Sequence, residues 1–292
     1  MTPPSVADLI NAHLAAGRFF EADGTRSFVR EQGDGEPVVL MHGVPTSSFL
    51  YRKVIGELAA RGLRGVAFDL PGLGLADRPR GLDPSWTGLG RFATAAVDAL
   101  GLDSFHLVVH DIGGPVGFEL AAAARGRVRS LTVLNTLIEV DTFRRPWTME
   151  MFARRGVGEL WLAGSARPLW IALMRMQGVA DQSAVSDDEL AAHLDLLKRE
   201  DGGRAFLRIM RGFERSAAKK LRYVRTLREA RYPIQVAWGM SDPALPARPH
   251  ARDVLRAAGG SAAFHEIAAR HFPQEDQPAR VAELIAAQAV AA

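Results

Sequence analysis

The chain has 292 residues, 48% hydrophobic and 24% charged, proportions of an ordinary globular protein that exclude a disordered or fibrous chain. Its 36 basic and 33 acidic residues leave a net charge of only +3, carried mostly by arginine, which is poor support for nucleic acid or any other acidic partner. The lack of cysteine excludes disulfides, thiolate metal sites and a cysteine nucleophile.

At the start, Met1-Thr2-Pro3-Pro4-Ser5 lacks the basic and then apolar run of a secretory leader. No apolar stretch approaches the ~20 residues of a membrane span, so a cytoplasmic location away from the membrane is expected. Further along, strongly apolar runs alternate with amphipathic ones. PVVLM at 37–41, RGVAF at 64–68, FHLVV at 105–109 and LTVL at 131–134 are too apolar for half-exposed strands and predict buried parallel ones. Helical patterns at 48–60 and 89–100 lie between them. This alternation predicts an α/β protein, a mostly parallel sheet with helices on both faces. From about 137 to 223 only helical pattern is found, with Trp147, Trp161 and Trp170 in it. Strand pattern resumes with IQVAW at 234–238 and AFHEI at 263–267, and the Ala-rich end reads as a last helix. The expected organisation is a core of residues 1–137 and 224–292 carrying a helical cap at 138–223. In the cap, Arg204, Arg208, Arg211 and Arg215 share a helical face. Without interleaved aromatics or a larger charge excess, it predicts a solvated face and not a nucleic-acid surface.

Residues 107–117, LVVHDIGGPVG, run a buried strand straight into small residues and a helix expected from about Pro115. A sharp strand-to-helix turn would lift Asp111 out at the carboxyl end of the sheet, a nucleophile elbow with aspartate in place of serine. Gly113 and Gly114 allow the close approach this needs. An aspartate capping a helix N-terminus leaves the same trace, and the segment alone does not choose. The loop Met41-His42-Gly43-Val44-Pro45-Thr46 is a second strand end followed by a glycine turn. In a hydrolase built on such an elbow this loop supplies one oxyanion-hole N–H and the residue after the nucleophile the other, which assigns Val44 and Ile112 and leaves His42 to hold the loop. Asp242 follows the strand at 234–238, and His271 follows the last one. Nucleophile, acid and histidine then stand in α/β-hydrolase order. Among the other histidines, His193 lies in the insertion, where a surface place is expected ahead of one at the site.

On these residues the sequence resembles the α/β-hydrolase-fold enzymes with an aspartate nucleophile, the haloalkane dehalogenases and epoxide hydrolases. The likeness runs through HGVPTSSFLYRKVI at 42–55, DLPGLGLADRP at 69–79, VVHDIGGPVG at 108–117, WGMSDPALP at 238–246 and HFPQE at 271–275. It is nearest to the dehalogenase branch whose acid follows the late strand, which supports Asp242; the other branch has its acid where Asn135 stands. The resemblance implies hydrolysis through an alkyl ester on Asp111, haloalkane-dehalogenase-like, with no metal or organic cofactor. The cap is expected to close over Asp111 and, through Trp147, Trp161, Trp170, Phe206 and Phe213, to make an apolar pocket for a small apolar substrate.

Two departures qualify the likeness. Haloalkane dehalogenases bind the departing halide with a tryptophan directly after the nucleophile, where this chain has Ile112; Trp161 lies at about the spacing of their cap tryptophan. Epoxide hydrolases use cap tyrosines, or a tyrosine and a histidine, to protonate the opening oxygen, and here Gly212-Phe213 occupies the place of a cap tyrosine. Epoxide hydrolysis is therefore the alternative activity, favoured if His193 or Tyr223 reaches the pocket. A ligand-binding protein with little turnover is the alternative from a different class.

Overall fold

Asp23 and Gly24 both take positive φ, 46° and 67°, the backbone that a two-residue hairpin turn requires. They join strands β1 (Gly17–Ala22) and β2 (Thr25–Gln32), which pair antiparallel. The computed structural model describes residues 3–260 and 262–292; Met1 and Thr2, part of the start read against a leader, lie outside the described residues. Strands β3 (Pro37–Met41), β4 (Arg64–Phe68), β5 (Phe105–Asp111), β6 (Val128–Thr136), β7 (Ile234–Gly239) and β8 (Ala263–Ile267) complete one eight-stranded sheet. Its order is β1-β2-β4-β3-β5-β6-β7-β8, parallel everywhere beyond the β2–β4 pair. β5 lies inside the sheet with its first six residues buried, which is why its sequence is a continuous apolar run and not an alternation.

In the first half the helices are α1 (Val6–Ala15), α2 (Arg52–Ala59), α3 (Trp86–Ala99) and α4 (Gly113–Ala123). Between β6 and β7 the described residues hold six helices and no strand: α5 (Trp147–Ala153), α6 (Val157–Gly164), α7 (Arg167–Gln177), α8 (Asp187–Lys198), α9 (Arg204–Arg211) and α10 (Ala217–Arg228). The chain ends with α11 (Ala247–Ala257), α12 (Pro273–Asp276) and α13 (Pro278–Val290). α2 packs with α13, and α3 with α4, in two groups that flank the sheet; α10, which crosses residue 223, packs on α4 and α11. No helix among the described residues is long and apolar enough to cross a membrane.

Local chemistry explains the element ends. Ser186 and Glu189 form a reciprocal capping box that starts α8, satisfying two N–H groups that a helix start would otherwise leave bare. α9 buries Phe206, Leu207, Ile209 and Met210. Its arginines are partly tied down: Arg208 donates to the Pro79 and Arg80 carbonyls and Arg211 pairs with Glu159. The parallel strands β3, β5, β6, β7 and β8 all end on one edge, where α/β sheets place their ligands.

Candidate active site

Asp111 ends β5 at φ 52°, a left-handed conformation that costs an L-residue about 1–3 kcal/mol and persists only where the surroundings enforce it. Here they do. The Thr136 hydroxyl donates to the Asp111 carbonyl, and the Val44 N–H donates to Asp111 Oδ1 at 2.8 Å. A Cβ on Gly43 would stand 2.2 Å from that same Oδ1, and one on Gly114 1.9 Å from Thr136 Oγ1. Only glycine at these two places lets the β3 loop and α4 close on the carboxylate. α4 accordingly starts at Gly113, two residues ahead of the Pro115 expected from sequence. The Ile112 N–H makes no hydrogen bond to the carboxylate among the described residues, so of the two expected oxyanion donors Val44 alone touches it. His42 accepts the Leu70 N–H at Nε2 and faces the Gly43 carbonyl through Nδ1, holding the loop.

The other two chemistry-bearing side chains converge on Asp111. His271 Nε2 stands 3.6 Å from Asp111 Oδ2, and its Nδ1 donates to Asp242 Oδ2 at 2.8 Å. Asp242 is buried and fully engaged: Oδ1 accepts from the Ala244 and Leu245 N–H groups, and Oδ2 also accepts from Asn135 Nδ2 at 2.7 Å. Burial opposes the charge on Asp242, but His271 with these donors holds its carboxyl at about 2. Burial likewise works against a charged His271, yet Asp242 and Asp111 on its two sides outweigh it and raise the imidazole to about 10. Since that lies above the ordinary 6.5, the ion pair stabilises the fold in full below about 6.5, a contribution lost as pH rises through about 10.

Two residues given no role from sequence belong to this assembly. His110, directly before Asp111, donates from Nε2 to the His271 carbonyl at 2.7 Å and packs its ring 4.8 Å from that of His271. Burial and the neighbouring imidazole lower its pKa to about 4, so it stays neutral and positions the loop. Asn135 accepts the Gly239 N–H while donating to Asp242, so the place of the acid in the other branch here steadies an acid coming from β7. We expect Asp242→Asn to cut turnover about 10³–10⁴-fold, the scale seen when a triad acid is neutralised. Asn135→Ala, which removes one of four hydrogen bonds to Asp242, should cost about tenfold. Steady-state kcat with any turned-over substrate compares them, and equal losses would move the relay acid elsewhere.

Above Asp111 lies a cavity of about 90 Å³ whose wall is apolar apart from Asp111, His271, Thr148 and Gln177. Trp161, Trp170 and Phe213 line it as expected; Trp147 and Phe206 do not. Trp147, the first residue of α5, is 68% exposed and packs on the outside of Trp161, whereas Phe206 is fully buried on α9 behind Phe152. The indole N–H groups of Trp161 and Trp170 are buried without a hydrogen-bond partner. His193 is neither at the surface nor at the site: its Nε2 lies 2.8 Å from Glu275, deep beside Phe49. Tyr223 is buried against Trp86 and Phe118 and does not reach the cavity.

A model of the alpha/beta hydrolase fold family matches residues 36–157. Haloalkane dehalogenase 2 of Mycobacterium tuberculosis is 28% identical over 283 residues, 92% of this chain and 93% of that protein. Among solved structures, Cfl2 of Burkholderia cenocepacia superposes with a TM-score of 0.77 at 25% identity, covering 92% of this chain and 94% of its own. The epoxide hydrolase CorEH gives a TM-score of 0.76 at 19% identity, covering 94% and 98%, a likeness of fold.

Proposed function

We propose that this chain, which has the α/β-hydrolase fold and is similar to the haloalkane dehalogenases, displaces halide from a small haloalkane through an ester on Asp111. A carboxylate is already ionised at neutral pH and needs no base to attack a saturated carbon. With Oδ1 held by Val44, Oδ2 is the attacking atom: the Oδ2–carbon bond forms as the carbon–halogen bond breaks and the halide leaves with the electron pair. Alkylation removes the Asp111 charge, one of the groups keeping His271 protonated, so the imidazole releases its proton to solvent, the net acid of the reaction, and becomes the base of the second step. It takes a proton from water, whose oxygen attacks the ester carbonyl. The oxyanion develops on Oδ1, already against the Val44 N–H, with the Ile112 N–H assigned as the second donor; such donors are typically worth about 3–4 kcal/mol each. Collapse breaks the acyl–oxygen bond and the alcohol leaves with a proton from His271. The remaining acid proton passes back to the imidazole, restoring the ion pair.

One observation carries the choice of leaving group. Asp111 and His271 are the only ionisable residues lining the cavity among those described. In-line displacement sends the leaving atom away from Oδ2, hence away from His271 and toward the cap wall. There Trp161 and Trp170 carry buried indole N–H groups without a partner, neutral donors that can steady a halide but cannot protonate an alkoxide. Halide departure needs no proton; epoxide opening does. The helices α5, α6, α7 and α9, all within the segment expected to form the cap, supply that wall.

The test is the native protein with 1-bromobutane and 1,2-epoxybutane, following bromide release and diol formation. Bromide release without diol is expected. Diol without bromide release overturns the halide reading, and neither product alongside tight binding of the bromoalkane puts a ligand-binding protein in its place.

A further inference from the structure

Gln177 is out of place in a pocket for a plain alkyl halide. It ends α7 and lines a cavity otherwise walled by Trp161, Trp170, Met174, Phe213 and other apolar side chains. Its carboxamide carries two N–H donors and a carbonyl, yet its one hydrogen-bond partner among the described residues is the Thr148 hydroxyl, at 3.3 Å from Nε2 and 3.4 Å from Oε1. A single hydroxyl at such distances leaves at least one N–H and one carbonyl lone pair for whatever enters the cavity. An alkyl chain there would strip water from these groups and give nothing back, which a site cannot afford without losing affinity.

The position of this carboxamide is tied to the chemistry. The backbone N–H of His271 donates to the backbone carbonyl of Gln177 at 3.3 Å and that of Phe272 to the backbone carbonyl of Gly178 at 2.9 Å. The Arg270 guanidinium donates to the carbonyls of Arg175 and Met176, both at 2.8 Å. A Cβ on Gly178 would come within 2.3 Å of the Phe272 ring, so only glycine lets α7 end this close to the loop. Three consecutive residues of the loop bearing His271 thus grip the end of α7. A group bound to the Gln177 side chain is held in a fixed relation to His271 and, through it, to Asp111.

We infer that Gln177, steadied by Thr148, is a specificity-determining residue, and that the substrate is a halogenated compound of a few heavy atoms with a neutral donor-and-acceptor group at its far end, best met by a primary carboxamide. This rests on the displacement reading of Asp111 for the halogen end, while the other end follows from the cavity wall. A primary amide answers Gln177 at two points, one N–H to each carbonyl. The small cavity, about 90 Å³, suits a chain of two or three carbons between halogen and amide nitrogen.

Two measurements test it. The first compares kcat/KM for 3-bromopropanamide and its apolar isostere 1-bromo-3-methylbutane in the native protein, Gln177→Met and Thr148→Val. The native protein should favour the amide by about ten- to hundredfold, Gln177→Met should lose or invert that preference, and Thr148→Val should reduce it. Equal effects of Gln177→Met on both substrates would overturn the assignment. The second titrates unreactive propanamide into native and Gln177→Met protein by tryptophan fluorescence. At least tenfold weaker binding to the variant is expected; equal binding, or no binding to the native protein, overturns the assignment. Should native protein release bromide from neither compound, the displacement reading falls, and the propanamide titration still decides Gln177.

Discussion

Asp111→Asn should lower turnover by about four orders of magnitude or more, the scale of removing a covalent nucleophile, with little change in melting temperature. Asparagine is the informative replacement because it tolerates the left-handed backbone at this position, φ 52°, better than alanine does. Its side-chain oxygen can still accept the Val44 N–H, so the elbow and the β3 loop keep their contact. What is lost is the charge that attacks carbon and that, with Asp242, keeps His271 protonated. The imidazole of the variant should therefore titrate below the native value of about 10, which NMR of the His271 ring would follow. Near-native turnover by Asp111→Asn would exclude the covalent route.

The parts of this molecule legible in the amino-acid sequence are those written in short stretches of chain. β3 to β8 announce themselves as apolar runs or strand patterns, and the three residues that converge at the site each end or follow one of those strands. β1 and β2 escaped because they sit at the sheet edge, where β1 alternates between exposed and buried residues and forms no apolar run. Their turn was nonetheless signalled, since Asp23-Gly24 is a favoured hairpin pair. Side-chain direction within the cap was not legible. Trp147 and Trp161 lie on adjacent helices with their rings 6.5 Å apart, and which of them faces inward is set by how α5 and α6 pack, not by spacing.

Partners distant in sequence were the other loss. His110 meets a backbone carbonyl, that of His271, and a carbonyl leaves no signature in sequence. His193 finds Glu275, which also holds Arg52 through two hydrogen bonds of 2.6 and 2.7 Å, while Arg52 reaches Glu189 at 2.6 Å. That buried cluster ties α8 to α12, the helix directly after His271. It gives the arginine of YRK and the glutamate of HFPQE a structural purpose. Pairing in the interior also explains how Glu275 stays charged: burial opposes the carboxylate, and Arg52 with His193 holds its pKa far below the usual range.

His271→Gln should stop the cycle at its midpoint. Glutamine can still reach Asp242 with its amide and fills much of the space of the imidazole, but it cannot take a proton from water. The first displacement needs only the Asp111 carboxylate and should proceed; ester hydrolysis should not. Supplied with a reactive bromoalkane, the variant should gain the mass of one alkyl group, located on Asp111 by peptide mapping, with one equivalent of bromide released and no alcohol. The native protein, run for a single turnover in oxygen-18 water, should carry the label in the Asp111 carboxylate, because water attacks the carbonyl carbon and the substrate carbon keeps the oxygen it took from Oδ2. Direct attack of water on the substrate predicts the opposite, label in the alcohol and none in the protein. That second pattern, together with no trapped adduct under confirmed turnover, removes Asp111 as the nucleophile.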